Sequence, residues 1–300
     1  MSTVHYLALA SVSGIGGVTM RKLIQRFGSV EAVFEASADQ LCQVPRVTSD
    51  MAQRLLAVDL DHMEEELSFL SDNDIDVLTW DDDSYPANLR AANDAPPLLF
   101  VCGNLKPGDE EAVAIVGTRE PTPEAKAAAE HLACELAARG LTIVSGLALG
   151  IDTAAHRGAL AAEDGRTLAV LGSGVGAIHP RENTELAEQV TRHGAVISEL
   201  RPNAPPSAAT LMARDRIVSG LSRAVIVVEA RENSGSLDTA GRARAQHRLL
   251  FAVPGSAGTE LLLSQGAERL DVAATDFDAL ADRLRALSVG PDAVQQPGLF

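Results

Sequence analysis

No apolar run in the sequence approaches the roughly 20 residues that a membrane-spanning helix needs. The opening stretch Met1-Ser2-Thr3-Val4-His5-Tyr6 also lacks a basic region ahead of its short apolar segment. A bilayer anchor and an export signal are therefore not expected, and the chain reads as cytoplasmic. Cysteine is scarce: Cys42, Cys102 and Cys134 are odd in number, far apart and free of metal-ligand spacing, so they read as reduced core thiols. Positive charge is short as well. With 25 Lys and Arg against 41 Asp and Glu, the formal net charge is −16, and such a body repels a polyanion at long range. Nucleic-acid binding through bulk basic charge is excluded, so any such site must be a local basic pocket with salt-sensitive affinity.

The usual nucleotide fingerprints are missing too. There is no G-x-x-x-x-G-K-[ST], and no G-x-G-x-x-G follows the first strand of the regular pattern; Gly172-Ser173-Gly174-Val175-Gly176 comes later with a different spacing. ATP hydrolysis and dinucleotide redox chemistry are disfavoured, and no cofactor or metal is expected. Ser145 and Ser234 sit in no G-x-S-x-G elbow and have no base in triad order, which argues against a covalent hydrolase.

What is present describes a globular chain. A hydrophobic content of 46% over 300 residues suffices for one substantial core and a smaller appended domain. Residues 1–72 read as a helical bundle, with Val12-Ser13-Gly14-Ile15-Gly16-Gly17 separating two apolar helices and a second helix-turn-helix cadence from Ala38 to Leu56. A glycine hairpin of this kind either packs two helices or aims backbone N–H groups at a phosphate. Val77-Leu78-Thr79-Trp80 and Leu98-Leu99-Phe100-Val101-Cys102 read as two short strands at a sheet edge, with Asp81-Asp82-Asp83 as a solvated turn rather than a metal site.

From residue 112 the apolar runs Ala112–Val116, Leu141–Val144, Leu168–Leu171, Ala195–Ile197, Ala224–Val228 and Leu249–Val253 alternate with helical segments. Such runs suit strands buried on both faces, so residues 73–287 are expected to form a mostly parallel, doubly wound, Rossmann-like α/β sheet. Several strands end in small or polar residues: Gly117-Thr118-Arg119, Ser145-Gly146, Gly172-Ser173-Gly174, and Glu229 ahead of Ser234-Gly235-Ser236. Ligands of open α/β sheets bind outside the carboxyl ends of the strands, so these turns are expected to converge on one phosphate-binding crevice with Arg119 as its charged clamp. Asp152 and His156, four apart on one helix, fit an acid/base pair, and Asp152 equally fits a helix cap. Arg242, Arg244 and Arg248 either add a basic edge to the crevice or form a solvated helix face. Residues 288–300 read as a linker or tail.

Taken in order, these motifs resemble those of the DprA/Smf family. The resemblance is carried by Ile115-Val116-Gly117-Thr118-Arg119, by Ser145 to Asp152 with Ala155-His156, by Val170 to Gly174 and by His179-Pro180-Arg181-Glu182-Asn183. It continues through Ser198-Glu199, Arg214 to Leu221, Glu229-Ala230, Ser234 to Ala240, Val253-Pro254-Gly255 and Gly266-Ala267, and so covers about residues 75 to 272. It implies an extended Rossmann fold with a helix-hairpin-helix-like N-terminal domain, a homodimer, single-stranded DNA binding without sequence preference, and loading of the RecA recombinase in DNA uptake and recombination, with no turnover. It implies a DNA site built from Gly117, Thr118, Arg119, Ser145, Gly146 and the segment Leu211 to Arg216, and with the strand-end turns the expected site adds Gly172, Ser173, Gly174, Ser234, Gly235 and Arg248.

The 211–216 segment departs from the usual Phe-Pro-x-Arg-Asn-Arg. Leu211 replaces an aromatic whose stacking is typically worth about 1–3 kcal/mol per base, and Asp215 replaces a neutral asparagine between Arg214 and Arg216. An ion pair of Asp215 with one of them is expected to lower the pocket's positive potential and weaken DNA binding. Many relatives carry a C-terminal winged-helix domain, for which this sequence leaves no room. Its last residues, Gln296 with Leu299 and Phe300, resemble peptides that dock on the replication sliding clamp, or else fold back on their own domain. The alternative to a DNA-binding mediator is a nucleotide-binding enzyme or sensor related to lysine-decarboxylase-like phosphoribohydrolases, using Asp152, His156 and Glu229, although the P-G-G-x-G-T-x-x-E turn of those enzymes is missing.

Overall fold

The computed structural model describes residues 2–232 and 234–287. The chain forms two compact units, the first made of Met1–Tyr85 with Pro96–Val101, the second of Pro86–Ala95 and the residues from Cys102 onward. The tail segment beyond Leu287, including Gln296, Leu299 and Phe300, lies outside the described residues.

Six helices build the first unit: α1 (Ser2–Ser11), α2 (Gly17–Phe27), α3 (Val30–Glu35), α4 (Ala38–Cys42), α5 (Ser49–Leu56) and α6 (Leu60–Asp72). Four of them start where a side chain can satisfy free backbone donors. Ser29, Ser37 and Thr48 each accept a hydrogen bond from the N–H three residues on, and Asp59 accepts from Asp61 and His62; each such cap is worth about 1 kcal/mol. Tyr6, Leu7, Leu9, Leu23, Val33, Leu41 and Leu55 form the buried apolar interior. The two apolar runs that follow are strands, β1 (Ile75–Thr79) and β2 (Leu98–Gly103). Asp82 closes the turn after β1 by accepting from the backbone N–H and hydroxyl of Thr79, which is the turn role read for the acidic triplet.

The second unit opens with α7 (Ala87–Arg90) and continues as β3 (Ala112–Val116), α8 (Pro123–Ala138), β4 (Thr142–Ser145), α9 (Ile151–Ala161), β5 (Thr167–Val170), α10 (Thr184–His193) and β6 (Gly194–Ser198). It is completed by α11 (Ala208–Ala213), α12 (Asp215–Leu221), β7 (Ala224–Val227), α13 (Gly235–Ala245), β8 (Leu249–Ala252), α14 (Ala257–Ser264), β9 (Glu268–Arg269) and α15 (Phe277–Ala286). Its strands lie in the order β6-β5-β4-β3-β7-β8-β9, and their pairings are parallel. Every residue of β3 is buried. Val113 and Ile115 pack with Leu132 and Leu136 of α8, Ile151 of α9 and Leu280 of α15; by the two-residue period of a strand, Ala114 and Val116 face the other side, where α12 contacts β3 and β4. This is the doubly wound α/β sheet that the sequence predicts.

The chain leaves β3 toward β4 on one side and later returns to place β7 on the other. The order of strands therefore reverses between β3 and β7, and a switch point of this kind opens a crevice at the strands' carboxyl ends. One expectation about the interior fails. Cys42 is exposed, and Cys102 and Cys134 are only half-buried, so the free thiols are not core residues; Cys42 closes the short α4, of which only Leu41 is buried.

Candidate nucleic-acid interface

A cleft of about 740 Å³ lies at that switch point. It is lined by the turn after β3, Gly117 to Glu120, and by Arg231 and the start of α13 with Ser234, Gly235, Ser236, Asp238 and Thr239. Ala208, Leu211 and Met212 of α11 supply an apolar side, while Asp152, Arg214 and Asp215 also line it. Such a volume falls in the usual range of ligand clefts.

Hydrogen bonds between neighbouring turns fix this arrangement. The Thr118 N–H donates to the carbonyl of Glu229 at 2.8 Å, tying the β3 turn to the β7 turn, and the Ile151 N–H donates to the carbonyl of Thr118 at 3.1 Å, tying it to α9. A Cβ on Gly117 would lie 2.6 Å from Ile151 and 2.9 Å from the Glu229 carbonyl, so the close approach needs glycine there. Asp152 does less as a cap of its own helix than as an anchor for the preceding turn, its Oδ2 accepting from Gly146 at 3.1 Å and Ala148 at 3.4 Å.

Arg214 is buried and held on three sides. Its Nη1 donates to the Val170 carbonyl at 3.1 Å, its Nε lies 3.2 Å from Asp215 Oδ1, and its Nη1 lies 4.0 Å from Asp152 Oδ2. The ion pair expected for Asp215 is thus formed, with Arg214. Burial pushes the Asp215 carboxyl up to about 6 against the pull of Arg214, with Asp152 and Asp238 adding to the rise. Burial raises Asp152 as well, opposed by Arg214.

Each of the four lining carboxylates lies within 4.0 Å of a guanidinium group, two of them sharing one. Glu120 pairs with Arg231 at 2.7 Å, Asp238 with Arg242 at 3.4 Å, and Asp152 and Asp215 share Arg214. Arg119 is different: it is exposed at the cleft and makes no ion pair among the described residues. A polyanion entering the cleft therefore meets an uncommitted guanidinium between glycine-rich backbone and the N-terminal turn of α13.

Of the residues singled out from the sequence, Gly117, Thr118, Arg119, Arg214, Ser234 and Gly235 line this one cleft. Gly146 backs onto Arg214, Gly172 onto Leu211, and Gly174 onto the carbonyls of Arg201 and Pro202. Ser145 and Ser173 are buried; the Ser145 hydroxyl donates to the Ile115 carbonyl at 2.7 Å and so supports its turn from beneath, while the Ser173 hydroxyl makes no hydrogen bond among the described residues. Two arginines do not reach the cleft. Arg216 forks onto Glu199 with two bonds of 2.6 Å and donates to the Asp94 carbonyl at 2.9 Å. Arg248 is buried, donating to the carbonyls of Asn88 at 2.7 Å and Gly220 at 3.1 Å, and burial lowers its pKa to about 10. With Arg242 on Asp238 and Arg244 on Gln265, no basic edge forms along α13.

The trio of the enzyme alternative is also dispersed. His156 is buried, its Nδ1 shares a 2.7 Å hydrogen bond with the Thr167 hydroxyl, and burial beside Arg214 pushes its pKa down to about 3. Glu229 accepts from the Thr122 N–H at 2.8 Å. Asp152 alone of the three lines the cleft. Among the described residues no group of His, Cys, Asp and Glu could hold a metal ion, and no helix is long and apolar enough to cross a membrane. Sequence reading missed Glu120, Arg231, Ala208, Asp238 and Thr239; the last two lie inside the run Ser234–Ala240, whose place at a helix start was a usable signal.

Comparisons with known proteins identify the family. The family model described as DNA recombination-mediator protein A matches residues 76–281, and that of a SAM-like helix-hairpin-helix tandem matches residues 6–58. Protein Smf of Synechocystis is 36% identical over 259 residues, covering 84% of this chain; the chain spans 64% of that relative's length. Among solved structures, DNA processing protein A from Streptococcus pneumoniae superposes with a TM-score of 0.80 at 32% identity, covering 94% of this chain and 98% of that one. DNA processing protein A from Helicobacter pylori, solved in a study of its single-stranded DNA binding mode, gives 0.62 at 31% identity over 70% of this chain and 95% of that one.

Proposed function

The chain belongs to the DNA recombination-mediator protein A family, and on that premise we propose that its switch-point cleft binds single-stranded DNA without sequence preference and passes it to the RecA recombinase. One observation supports this most: Arg119 stands uncommitted over a cleft whose other charges are paired among the described residues. A guanidinium and backbone N–H groups grip phosphate, which every nucleotide carries, so the binding does not depend on base identity. The apolar side formed by Leu211 and Met212 leaves room for bases and replaces the aromatic platform implied by the family resemblance. The protein acts without turnover, as a homodimer, and delivers the strand to RecA during DNA uptake or recombination.

The test is a titration of labelled oligonucleotides of different base composition, with duplex DNA and free mononucleotides as competitors. Single strands of every composition should bind within a few-fold of one another and outcompete the others. RecA added to strands already coated by single-strand-binding protein should form filaments faster with this chain present. Tighter binding of a mononucleotide than of any oligonucleotide would overturn the assignment and revive an enzyme or sensor of small nucleotides.

A further inference from the structure

The longest helix of the first unit, α6, has an outer face that nothing covers among the described residues. The helix turns Met63 and Leu70 inward and packs against α1 and β1. Its other side carries Asp61, Glu64, Glu65, Ser68, Phe69 and Asp72, all exposed. At 3.6 residues per turn these six fall within one arc of about 140°. Phe69 is 64% exposed, more than any other large apolar side chain among the described residues.

The charge around that ring has one sign. From Leu55 to Tyr85 the sequence has eleven Asp and Glu and no Lys or Arg, and the five basic residues of the first unit all fall between Arg21 and Arg54. Asp61, Glu64 and Asp72 make no ion pair among the described residues, and Glu65 meets only the His62 ring, at 3.6 Å. On the helix surface Phe69 neighbours Glu65, Glu66 and Asp72, three and four residues away. A bare ring is poorly hydrated, and like charges this close repel one another; one contact relieves both. Nucleic acid and anionic membrane are turned away by such a face. A basic protein surface with an apolar residue to cover the ring is what fits it.

We infer that the outer face of α6 docks a basic amphipathic helix of a partner protein, with Phe69 covered by an apolar side chain of that helix and Lys or Arg set against Asp61, Glu65 and Asp72. The face runs about 16 Å from Asp61 to Asp72, three turns of helix. Its three carboxylates stand four and seven residues apart, so cations at the same spacing on a helix lying alongside meet all of them. The ring is the anchor, and the charges set orientation and choice of partner. This surface is separate from the cleft, whose residues belong to the second unit.

The probe is a labelled peptide of about 14 residues, four turns, built from Lys and Leu in an amphipathic helical pattern and titrated against the full chain. The same peptide with Glu in place of Lys is its control and should not bind. Phe69→Ala should lower affinity for the Lys peptide about ten-fold, and Glu65→Lys combined with Asp72→Lys should abolish binding. Glu163→Lys, an equal reversal at an exposed position of the second unit, should leave affinity unchanged, and saturating oligothymidylate should not displace the peptide. Equal affinity of Phe69→Ala and wild type, equal binding of the Glu peptide, a loss with Glu163→Lys as large as with the α6 reversals, or displacement by oligothymidylate overturns the inference. Phe69→Trp keeps a ring in place whatever the stability of the alanine variant. Its emission should move to shorter wavelength as the peptide binds, above the constant signal of Trp80; an emission unmoved at saturation also overturns the docking face.

Discussion

At the level of single residues, the proposed DNA site rests on one charge, that of Arg119, which makes no ion pair among the described residues. Arg214 and Arg216 stand two apart in the sequence and look equivalent there, yet one is buried beneath the cleft on Asp215 and the other is forked onto Glu199. Partners 17 residues from Arg216, and 28 and 160 residues from Arg248, cannot be read from spacing, which is why the sequence points both arginines at DNA although their side chains are taken up by these contacts. Arg216→Ala should accordingly destabilise the fold by about 3–5 kcal/mol, because it leaves Glu199 charged and half-buried. Arg119→Ala should leave the melting temperature unchanged; thermal melts of the two variants distinguish the roles. Asp215 adds a pH dependence. Its carboxyl is raised to about 6, so the folded chain keeps a proton there between about pH 4 and 6 that the unfolded chain releases. The stability this confers is lost as pH rises through 6. In the same interval the cleft gains a negative charge, so oligonucleotide affinity should fall as pH rises from about 5 to 7. Asp215→Asn should flatten both profiles and bind DNA more tightly at neutral pH; an unchanged pH profile in that variant would remove Asp215 from the account.

Secondary-structure elements were far more legible than side-chain partners. Strands such as Ala112–Val116 and Ala224–Val227 announce themselves as unbroken apolar runs because helices cover both their faces, and the turns that end them were recognisable by glycine and hydroxyl residues. The two-residue β9, Glu268–Arg269, has no apolar run and was invisible. Convergence of the turns is a product of strand order, which no local pattern carries. Gly172 and Gly174 show the limit: they look like phosphate loops, but pack against Leu211 and Pro202. Gly150 is the junction to test. Its φ is +83, and a Cβ would lie 2.4 Å from the Thr118 carbonyl, the acceptor that ties α9 to the β3 turn. Gly150→Ala should cost at least about 1–3 kcal/mol in backbone strain alone and lower oligonucleotide affinity by displacing Arg119, as thermal melts and titrations of that variant would record. Gly146→Ala presses on Arg214, 1.2 Å from its Nη1, and should weaken binding with Arg119 left in place.

For the whole molecule the governing fact is the net charge of −16. A chain this acidic gathers no DNA from a distance, so on the proposed reading affinity has to come from the guanidinium and backbone donors of the cleft. The slope of log K against log salt should accordingly be shallow, about −1 to −3 on single strands, against about −10 for a protein that neutralises many phosphates. The measurement that tests the central claim most directly is that slope, taken for the wild-type chain and for Arg119→Ala with one labelled oligonucleotide. Loss of the free guanidinium should weaken binding by about ten-fold or more, the worth of a charge-assisted hydrogen bond, and make the slope shallower by about 0.7. Identical affinity and slope in the two proteins would contradict the account.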